Sequence, residues 1–348
     1  MDRRGLEQVI REQALWCERL GSPLYHSLLI HLANDLKSDG VCWPVLEPHA
    51  ADPARSLLPL RFLAAVHRLA LEGQVPLLAW CYPSCGGAAD PQAAWSAFLA
   101  AVSEQRLLRI PATVQTNEVN RCCALLPGFL RIAHATGLPL RLLEIGSSAG
   151  LNLRWDCYRY ETPRGAFGPA DSPVVFTDPF DGDSPDLDTP VTIQERRGCD
   201  LHPLDPTTDD GRLTLLSFVW PDQVDRFRLL SHAIDVARKV EVTLDRVDAS
   251  EWVSAQLTPL RRGAANVVFH SIVWLYLSDE GRRRFAEVIT SAGANATPEC
   301  PLAWLRMEPG ADGADVILTM WPGGLEERIA IADYHGAKVR RPSLAPNA

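Results

Sequence analysis

The sequence predicts an α/β protein whose mostly parallel sheet ends in an antiparallel C-terminal hairpin and is preceded by a helical N-terminal region. Three observations predict this. Residues 1–137 place apolar residues at helical spacing between helix caps. From residue 138, short apolar runs alternate with helical stretches, as in a parallel sheet covered by helices. The first run, Leu140–Ile145, leads into Gly146-Ser-Ser-Ala-Gly150, a strand-to-turn transition that lets a small molecule approach the backbone. The expected organisation is a helical region over 1–137 and an α/β domain over 138–348, with an acidic, proline-rich insertion at about 161–210.

The elements follow in order. Ser22-Pro23 is an N-cap and first-turn signal that opens a helix to about residue 36, with Tyr25, Leu28, Leu29 and Leu32 on one face. A second helix covers 61–72 and stops at Gly73; Asp90-Pro91 opens a third, to about 105. One or two more follow Thr116, with Pro127 as an expected break and Gly137 as a C-cap. Strands are expected at 140–145, 191–199, 240–247, 266–270, 302–307, 316–320 and 329–333, and helices at 150–158, 222–238, 250–256 and 279–292. The segment 161–210 holds twelve acidic against three basic residues, which reads as a solvated insertion or a lid over the site.

Composition excludes several classes. The net charge of −9 and the absence of a long basic run argue against a nucleic-acid partner; Arg261-Arg262 and Arg282-Arg283-Arg284 read as solvated faces. The opening Met-Asp-Arg-Arg-Gly is charged where a secretory leader would be apolar, so a cytoplasmic protein without a membrane partner is expected. Nine scattered cysteines form no framework, and Cys81-x-x-x-Cys85 and Cys122-Cys123 lack ligand-spaced companions, so reduced thiols and no metal are expected.

Three chemistries use a glycine turn after a strand. A dinucleotide fold wants glycines at i, i+2 and i+5, where this chain has Ser148 and Leu151. A hydrolase elbow is Gly-x-Ser-x-Gly, which Gly146-Ser147-Ser148-Ala149-Gly150 matches literally, with Ser148 as nucleophile and Asp315 or Asp333, then His335, in the right order. Against it stand the helical region before the turn, the lack of a His-Gly-Gly oxyanion loop, and Glu144, a negative charge where an oxyanion would form.

The third chemistry rests on a resemblance. Glu144-Ile-Gly146-Ser-Ser-Ala-Gly150 resembles motif I of the class I S-adenosylmethionine-dependent methyltransferases, acidic-x-Gly-x-Gly-x-Gly, with Ser148 in place of the middle glycine. Gly198-Cys-Asp200-Leu201-His-Pro203 resembles the end of the second strand of such enzymes, whose acidic residue receives the ribose hydroxyls; Glu195 is a rival for that role. Residues 240–247 with Asp248-Ala249 resemble the third strand and its adenine-contacting turn, and Asn266-Val-Val-Phe-His270-Ser271 the fourth. The resemblance implies a Rossmann-like methyltransferase sheet over roughly 138–340, S-adenosylmethionine as cofactor and S-adenosylhomocysteine as product. Gln115-Thr-Asn117-Glu118-Val119, the turn itself, Arg197–Pro203, Trp220-Pro-Asp-Gln223, Ser22-Pro-Leu-Tyr25 and Tyr334-His-Gly336 together resemble a bacterial family of domains of unknown function.

On this reading Glu144, Gly146, Ser147, Ser148, Ala149, Gly150, Asn152, Asp200, Leu201, Asp248, Ala249 and His270 hold the cofactor. His270 and Glu118 are candidate catalytic groups, His270 because an imidazole can take a proton near neutral pH. Tyr25, Asn117, Trp155 and Tyr158 are candidate substrate contacts. Each has a plainer reading: a hydrogen-bonded core histidine, helix caps at Gln115–Asn117, and core aromatics. The expected function is methyl transfer to a small molecule, the alternatives being a non-catalytic cofactor-binding or regulatory protein and a serine hydrolase.

Overall fold

A computed structural model of the chain describes residues 1–53, 56–104 and 108–342. In chain order its helices are α1 (Arg3–Arg19), α2 (Pro23–Lys37), α3 (Trp43–Leu46), α4 (Leu58–Leu71), α5 (Pro76–Ala79), α6 (Pro91–Glu104), α7 (Arg121–Thr136), α8 (Asp209–Ser217), α9 (Val224–Ala237), α10 (Ala249–Leu257) and α11 (Asp279–Gly293). Its strands are β1 (Leu140–Ile145), β2 (Arg159–Thr162), β3 (Gly165–Phe167), β4 (Val175–Thr177), β5 (Phe180–Asp181), β6 (Ile193–Asp200), β7 (Thr243–Arg246), β8 (Ala265–Ser271), β9 (Leu302–Gly310), β10 (Gly313–Trp321), β11 (Leu325–Ala332) and β12 (Val339–Arg340). Contacts group residues 1–116 with 208–231, and 117–207 with 232–348. The sequence placed one boundary at 137; the contacts put α7 with the sheet and α8 with the N-terminal helices.

In the helical unit, Asp2 caps α1 by accepting the Gly5 N–H at 2.8 Å, and Leu6, Ile10, Ala14 and Cys17 form its buried stripe. Ser22 caps α2 as its sequence predicts, accepting the Tyr25 N–H at 3.2 Å. The same hydroxyl donates to Asp222 at 2.6 Å, and the other oxygen of Asp222 accepts the Leu24 N–H at 3.0 Å. Asp222, read from sequence as the start of its own helix, therefore secures the first turn of α2, and α9 begins at Val224. Phe62 and Phe98 meet edge-to-face at 5.5 Å in the core of this unit. The third expected helix, α6, ends at Glu104; Gln105, its expected last residue, lies outside the described residues.

The second unit is a mixed sheet of nine strands in the order β5-β12-β11-β10-β9-β8-β1-β6-β7. Strands β7, β6, β1, β8 and β9 are parallel, and β10, β11 and β12 are antiparallel to their predecessors. All the residues of β1 and β8 are buried, as expected of inner parallel strands, the polar Arg141, Glu144, Asn266, His270 and Ser271 among them. Strand alternation assigns the faces. Phe269 and its register partner Leu305 face α7, where Gly128 lies so close to Leu305 that a Cβ would stand 2.4 Å from Cδ1. Leu143, Ile145, Val268 and Trp304 face α10 and α11, in a core with Val253, Phe285 and Ile289.

Three expectations change. The expected helix at 150–158 is a short 3-10 segment, Asn152–Cys157, kinked at Arg154. Pro127 does not break α7, which runs through it. The stretch 161–210 is not simply a loop: β2, β3 and β4 form a separate three-stranded sheet there, and β6 belongs to the main one.

Candidate functional site

Among the parallel strands, the chain order runs from β1 outward to β6 and β7 and returns on the other side of β1 with β8 and β9. The strand order therefore reverses between β1 and β8. In open α/β sheets the crevice beyond the carboxyl ends of the strands at such a point is where ligands bind. The residues following β1, β8 and β6 there are the glycine turn, Ile272-Val273 and Leu201-His202.

Two non-glycine residues with positive φ lie at this edge, and others, Asp39, Leu57 and Asp178, lie elsewhere. Ser148 has φ +51° and Ile272 φ +53°. The left-handed region costs a non-glycine residue roughly 1–2 kcal/mol, and a β-branched residue is seldom found in it. Such outliers persist where surrounding contacts over-determine them, commonly at ligand sites. Gly146 has φ +64°, and a Cβ on it would lie 2.8 Å from Cγ2 of Val273.

The hydrogen bonds of the turn are made within the protein. Ser147 N–H donates to Cys199 O at 3.0 Å and Gly150 N–H to Ser147 O at 2.7 Å. Ser148 N–H donates to Asp200 Oδ2 at 2.9 Å. Asn117 Oδ1 accepts both Ala149 N–H, at 3.2 Å, and Leu151 N–H, at 3.0 Å. The buried guanidinium of Arg154 donates to Gly150 O at 2.8 Å and Val240 O at 2.8 Å, clamping the turn on its carbonyl side. A phosphate cradle needs backbone N–H groups turned outward; here those of residues 147–151 are taken.

Glu144 stands under this turn, 3 % exposed, and its Oε2 has no hydrogen-bond partner. Burial holds its carboxyl well above the usual carboxylate range; Arg154 offsets this in part, and the Asp200 charge adds to it. Asp200, at the end of β6, accepts Ser148 N–H through one oxygen and His202 N–H, at 2.8 Å, through the other. Each carboxylate oxygen has two lone pairs, so both retain capacity for a hydroxyl donor. Glu195, the rival acid, lies five residues earlier on β6, roughly 16 Å along the strand, and is bound to Arg141 at 2.6 Å. Leu201, 60 % exposed beyond β6, and the exposed Leu275 and Tyr276 beyond β8 add apolar surface to the same edge.

The remaining predicted residues fall into several places. Asp248 caps α10, accepting Ser250 N–H at 2.9 Å, with Ala249 as the first helical residue. Asn152 is buried and accepts from Cys122 Sγ at 3.2 Å. Glu118 accepts Asn120 Nδ2–H at 2.9 Å at the start of α7. Trp155 is buried and stacks on Phe129 at 4.5 Å, and Tyr158 donates to Leu151 O at 2.7 Å; both support the turn from within the core. Tyr25 lies in the core of the helical unit, 6.2 Å from Trp220.

His270 points into the α11 side of the sheet. Its Nδ1 lies 2.7 Å from Glu308 Oε1, and its Nε2 faces the indole N–H groups of Trp304 at 3.0 Å and Trp274 at 3.4 Å. Indole can only donate, so Nε2 carries the lone pair and Nδ1 the proton. Glu308 also accepts the Val273 and Trp274 N–H groups at 2.9 and 3.2 Å. Both ring nitrogens are therefore engaged in fixing the segment after β8. Of the hydrolase partners, Asp315 holds Arg328, and Asp333 holds the N–H groups of His335 and Lys338. Sequence reasoning missed Arg154, Glu308 and the two tryptophans, which no local spacing links to the turn.

Fold and site thus define an α/β protein with a strained, acidic turn at the switch point of its sheet. The chain belongs to the bacterial family described as "Uncharacterized protein conserved in bacteria (DUF2332)", matched over residues 7–341. No curated protein matches it, and no solved structure matches it. Among the described residues no helix is long and apolar enough to cross a membrane.

Proposed function

We propose that the turn binds S-adenosylmethionine and that the protein transfers its methyl group to a small molecule. The observation that carries this reading is the unpartnered Oε2 of Glu144, buried beneath the turn and close enough to Asp200 for their charges to interact. Asn152 hydrogen-bonds the carboxyl, but its Oε2 is left without a partner; a buried unpaired carboxyl oxygen is costly, and a cationic guest relieves that cost. The donor-poor turn disfavours phosphate, so the guest is a nucleoside without phosphates that carries positive charge. A sulfonium-bearing adenosyl amino acid has both properties. The five parallel strands in the order β7-β6-β1-β8-β9 also follow the doubly wound order through its fifth strand.

Glu144 would face the cationic part of the cofactor. Asp200 would accept the ribose hydroxyls, and Leu201 would cover the adenine with apolar surface. When bound, the cofactor supplies a methyl group activated by the sulfonium. The protein's share is alignment of the acceptor and exclusion of water. His270 is occupied on both nitrogens, so in this reading it would act as a positioning residue, and the acceptors favoured are those that need no base. The same observation favours a second reading, cofactor binding without catalysis.

Calorimetry with S-adenosylmethionine and S-adenosylhomocysteine tests the proposal. Binding of both is expected, weakened about tenfold in Asp200→Asn, the equivalent of ~1.4 kcal/mol and the lower range for a charge-assisted hydrogen bond. Absence of heat with either ligand, in folded protein, rejects it. Transfer of a labelled methyl group to a small-molecule extract then separates enzyme from non-catalytic binder.

A further inference from the structure

The helical unit holds a second chemical constellation, independent of the glycine turn. Ser84 lies in the 3-10 segment Pro83–Cys85, between α5 and α6, and its N–H is fixed on Pro221 O at 2.9 Å. Its Oγ is 2.8 Å from His67 Nε2, and His67 Nδ1 is 3.0 Å from Ser217 O. A carbonyl only accepts, so Nδ1 carries the proton, Nε2 carries the lone pair, and the Ser84 hydroxyl donates to it. This is the relation of nucleophile, base and orienting group, with a backbone carbonyl in the orienting place. Burial lowers His67 to about 4, so at neutral pH it is in the accepting form.

A hydrogen-bonded core histidine would account for that much. It does not account for Tyr25 and Tyr82. Both phenols are buried, 2 % and 0 % exposed, and neither hydroxyl has a partner. Tyr82 meets the His67 ring edge-on at 5.4 Å. Both phenols are pushed up by burial and by the neighbouring Cys85 thiol, whose sulfur is 3.9 Å from Ser84 Oγ. Both phenols lie close enough to Cys85, the residue after Ser84, to interact with it, and Tyr25 also interacts with Tyr82; they are two O–H donors without an acceptor, and a tetrahedral oxyanion is such an acceptor. Just before the serine, Leu77 and Trp80 are 74 % and 78 % exposed, an apolar landing on the same segment.

We propose that Ser84 is the nucleophile of an acyl-transfer site that cleaves carboxylic esters with apolar acyl chains. Ser84 Oγ attacks the ester carbonyl while His67 Nε2 takes its proton, and the carbonyl π pair moves onto oxygen between the Tyr25 and Tyr82 hydroxyls. Collapse expels the alcohol, which leaves with the proton from Nε2, and the acyl group stays on Ser84. Water, giving its proton to Nε2, attacks the acyl-enzyme; Ser84 departs, recovers that proton, and the carboxylic acid is released. A base this weak takes the proton only as the tetrahedral carbon forms, so turnover is slow.

The test is labelling of the full-length protein by an alkyl fluorophosphonate, with the modified residue located by mass spectrometry, alongside hydrolysis of p-nitrophenyl butyrate. A label on Ser84, absent in Ser84→Ala, is expected. Tyr82→Phe and Tyr25→Phe remove one oxygen each from the core and should slow both reactions at least tenfold with an unchanged circular dichroism spectrum. Failure of the folded wild-type protein to label overturns the proposal. So does a label on Ser148, or one that persists in Ser84→Ala. None of these outcomes bears on adenosyl cofactor binding.

Discussion

Replacing Asn117 by alanine tests whether the glycine turn is held from outside the sheet. One atom, Oδ1, accepts the N–H groups of Ala149 and Leu151 at 3.2 and 3.0 Å, and the side chain is 7 % exposed. Alanine leaves two buried donors unsatisfied. Each costs about 1–3 kcal/mol when nothing replaces its partner. Water reaching the enlarged site recovers part of that, so a net loss of about 2–4 kcal/mol is expected. Asn117→Asp keeps the acceptor and should recover most of the loss. Urea unfolding followed by circular dichroism gives the global number, and amide hydrogen exchange at Ala149 and Leu151 gives the local one. A loss below ~0.5 kcal/mol, or faster exchange in Asn117→Asp equal to that in Asn117→Ala, would refute the assigned bonding. S-adenosylhomocysteine affinity should fall in parallel with the loss of protection, because the turn is the proposed cofactor contact.

Two further outcomes follow from buried ionisable groups. Glu144 has its folded pKa raised, so its contribution to stability is complete below the unfolded value of about 4.5 and is lost as pH rises towards the folded value. Glu144→Gln does not titrate; its stability relative to wild type should grow above pH ~5, by at most ~1.4 kcal/mol per pH unit. Parallel urea curves at pH 5, 6 and 7 would show that the carboxyl is not held protonated. His270→Ala removes the bridge between Glu308, Trp304 and Trp274 and should lower stability by about 2–4 kcal/mol. S-adenosylhomocysteine affinity should change less than threefold; a large loss of affinity with unchanged stability would return His270 to the ligand.

The strands were legible because inner parallel strands must be apolar on both faces. Leu140–Ile145 and 266–270 show this in their Leu, Ile, Val and Phe, although Arg141, Glu144, Asn266 and His270 interrupt the runs. The cap of α2 was legible because Ser22-Pro23 acts locally. The segment after the turn was not. The place of Leu151–Tyr158 after the glycine turn predicts a helix, yet Arg154 is drawn to Gly150 O and Val240 O, and the Tyr158 hydroxyl to Leu151 O. These contacts kink the segment, and none of them has a sequence period. The small sheet at β2–β4 escaped for a related reason: strands of three or four residues are too short to show alternation. That Glu144, Asp200 and the turn come together at one sheet edge was readable from their order along β1 and β6. The role of His270 was not, since its partners Trp304 and Glu308 lie 34 and 38 residues away.

Strain and charge at the turn point the same way. A chain selected for stability alone would place glycine at 148 and an apolar residue at 144, relieving a left-handed serine and a buried acid with one unpaired oxygen together. A second strained position, Ile272, stands beyond the adjacent strand, and Val273 after it packs on Gly146. Sequences break local rules chiefly where a function uses the broken position. These breaks are at the ends of β1 and β8, where the strand order reverses, and not along the equally buried interiors of those strands. A purely structural account of Glu144 would have to supply Oε2 with a partner, and the protein supplies none. The proposed cationic ligand would do so, and its charge would oppose the upward shift of the Glu144 carboxyl, so that binding would release a proton. Calorimetry of S-adenosylmethionine in buffers of different ionisation enthalpy reads that proton directly: a buffer-dependent heat in wild type and a buffer-independent heat in Glu144→Gln are expected, and equal dependence in both would remove Glu144 from the site.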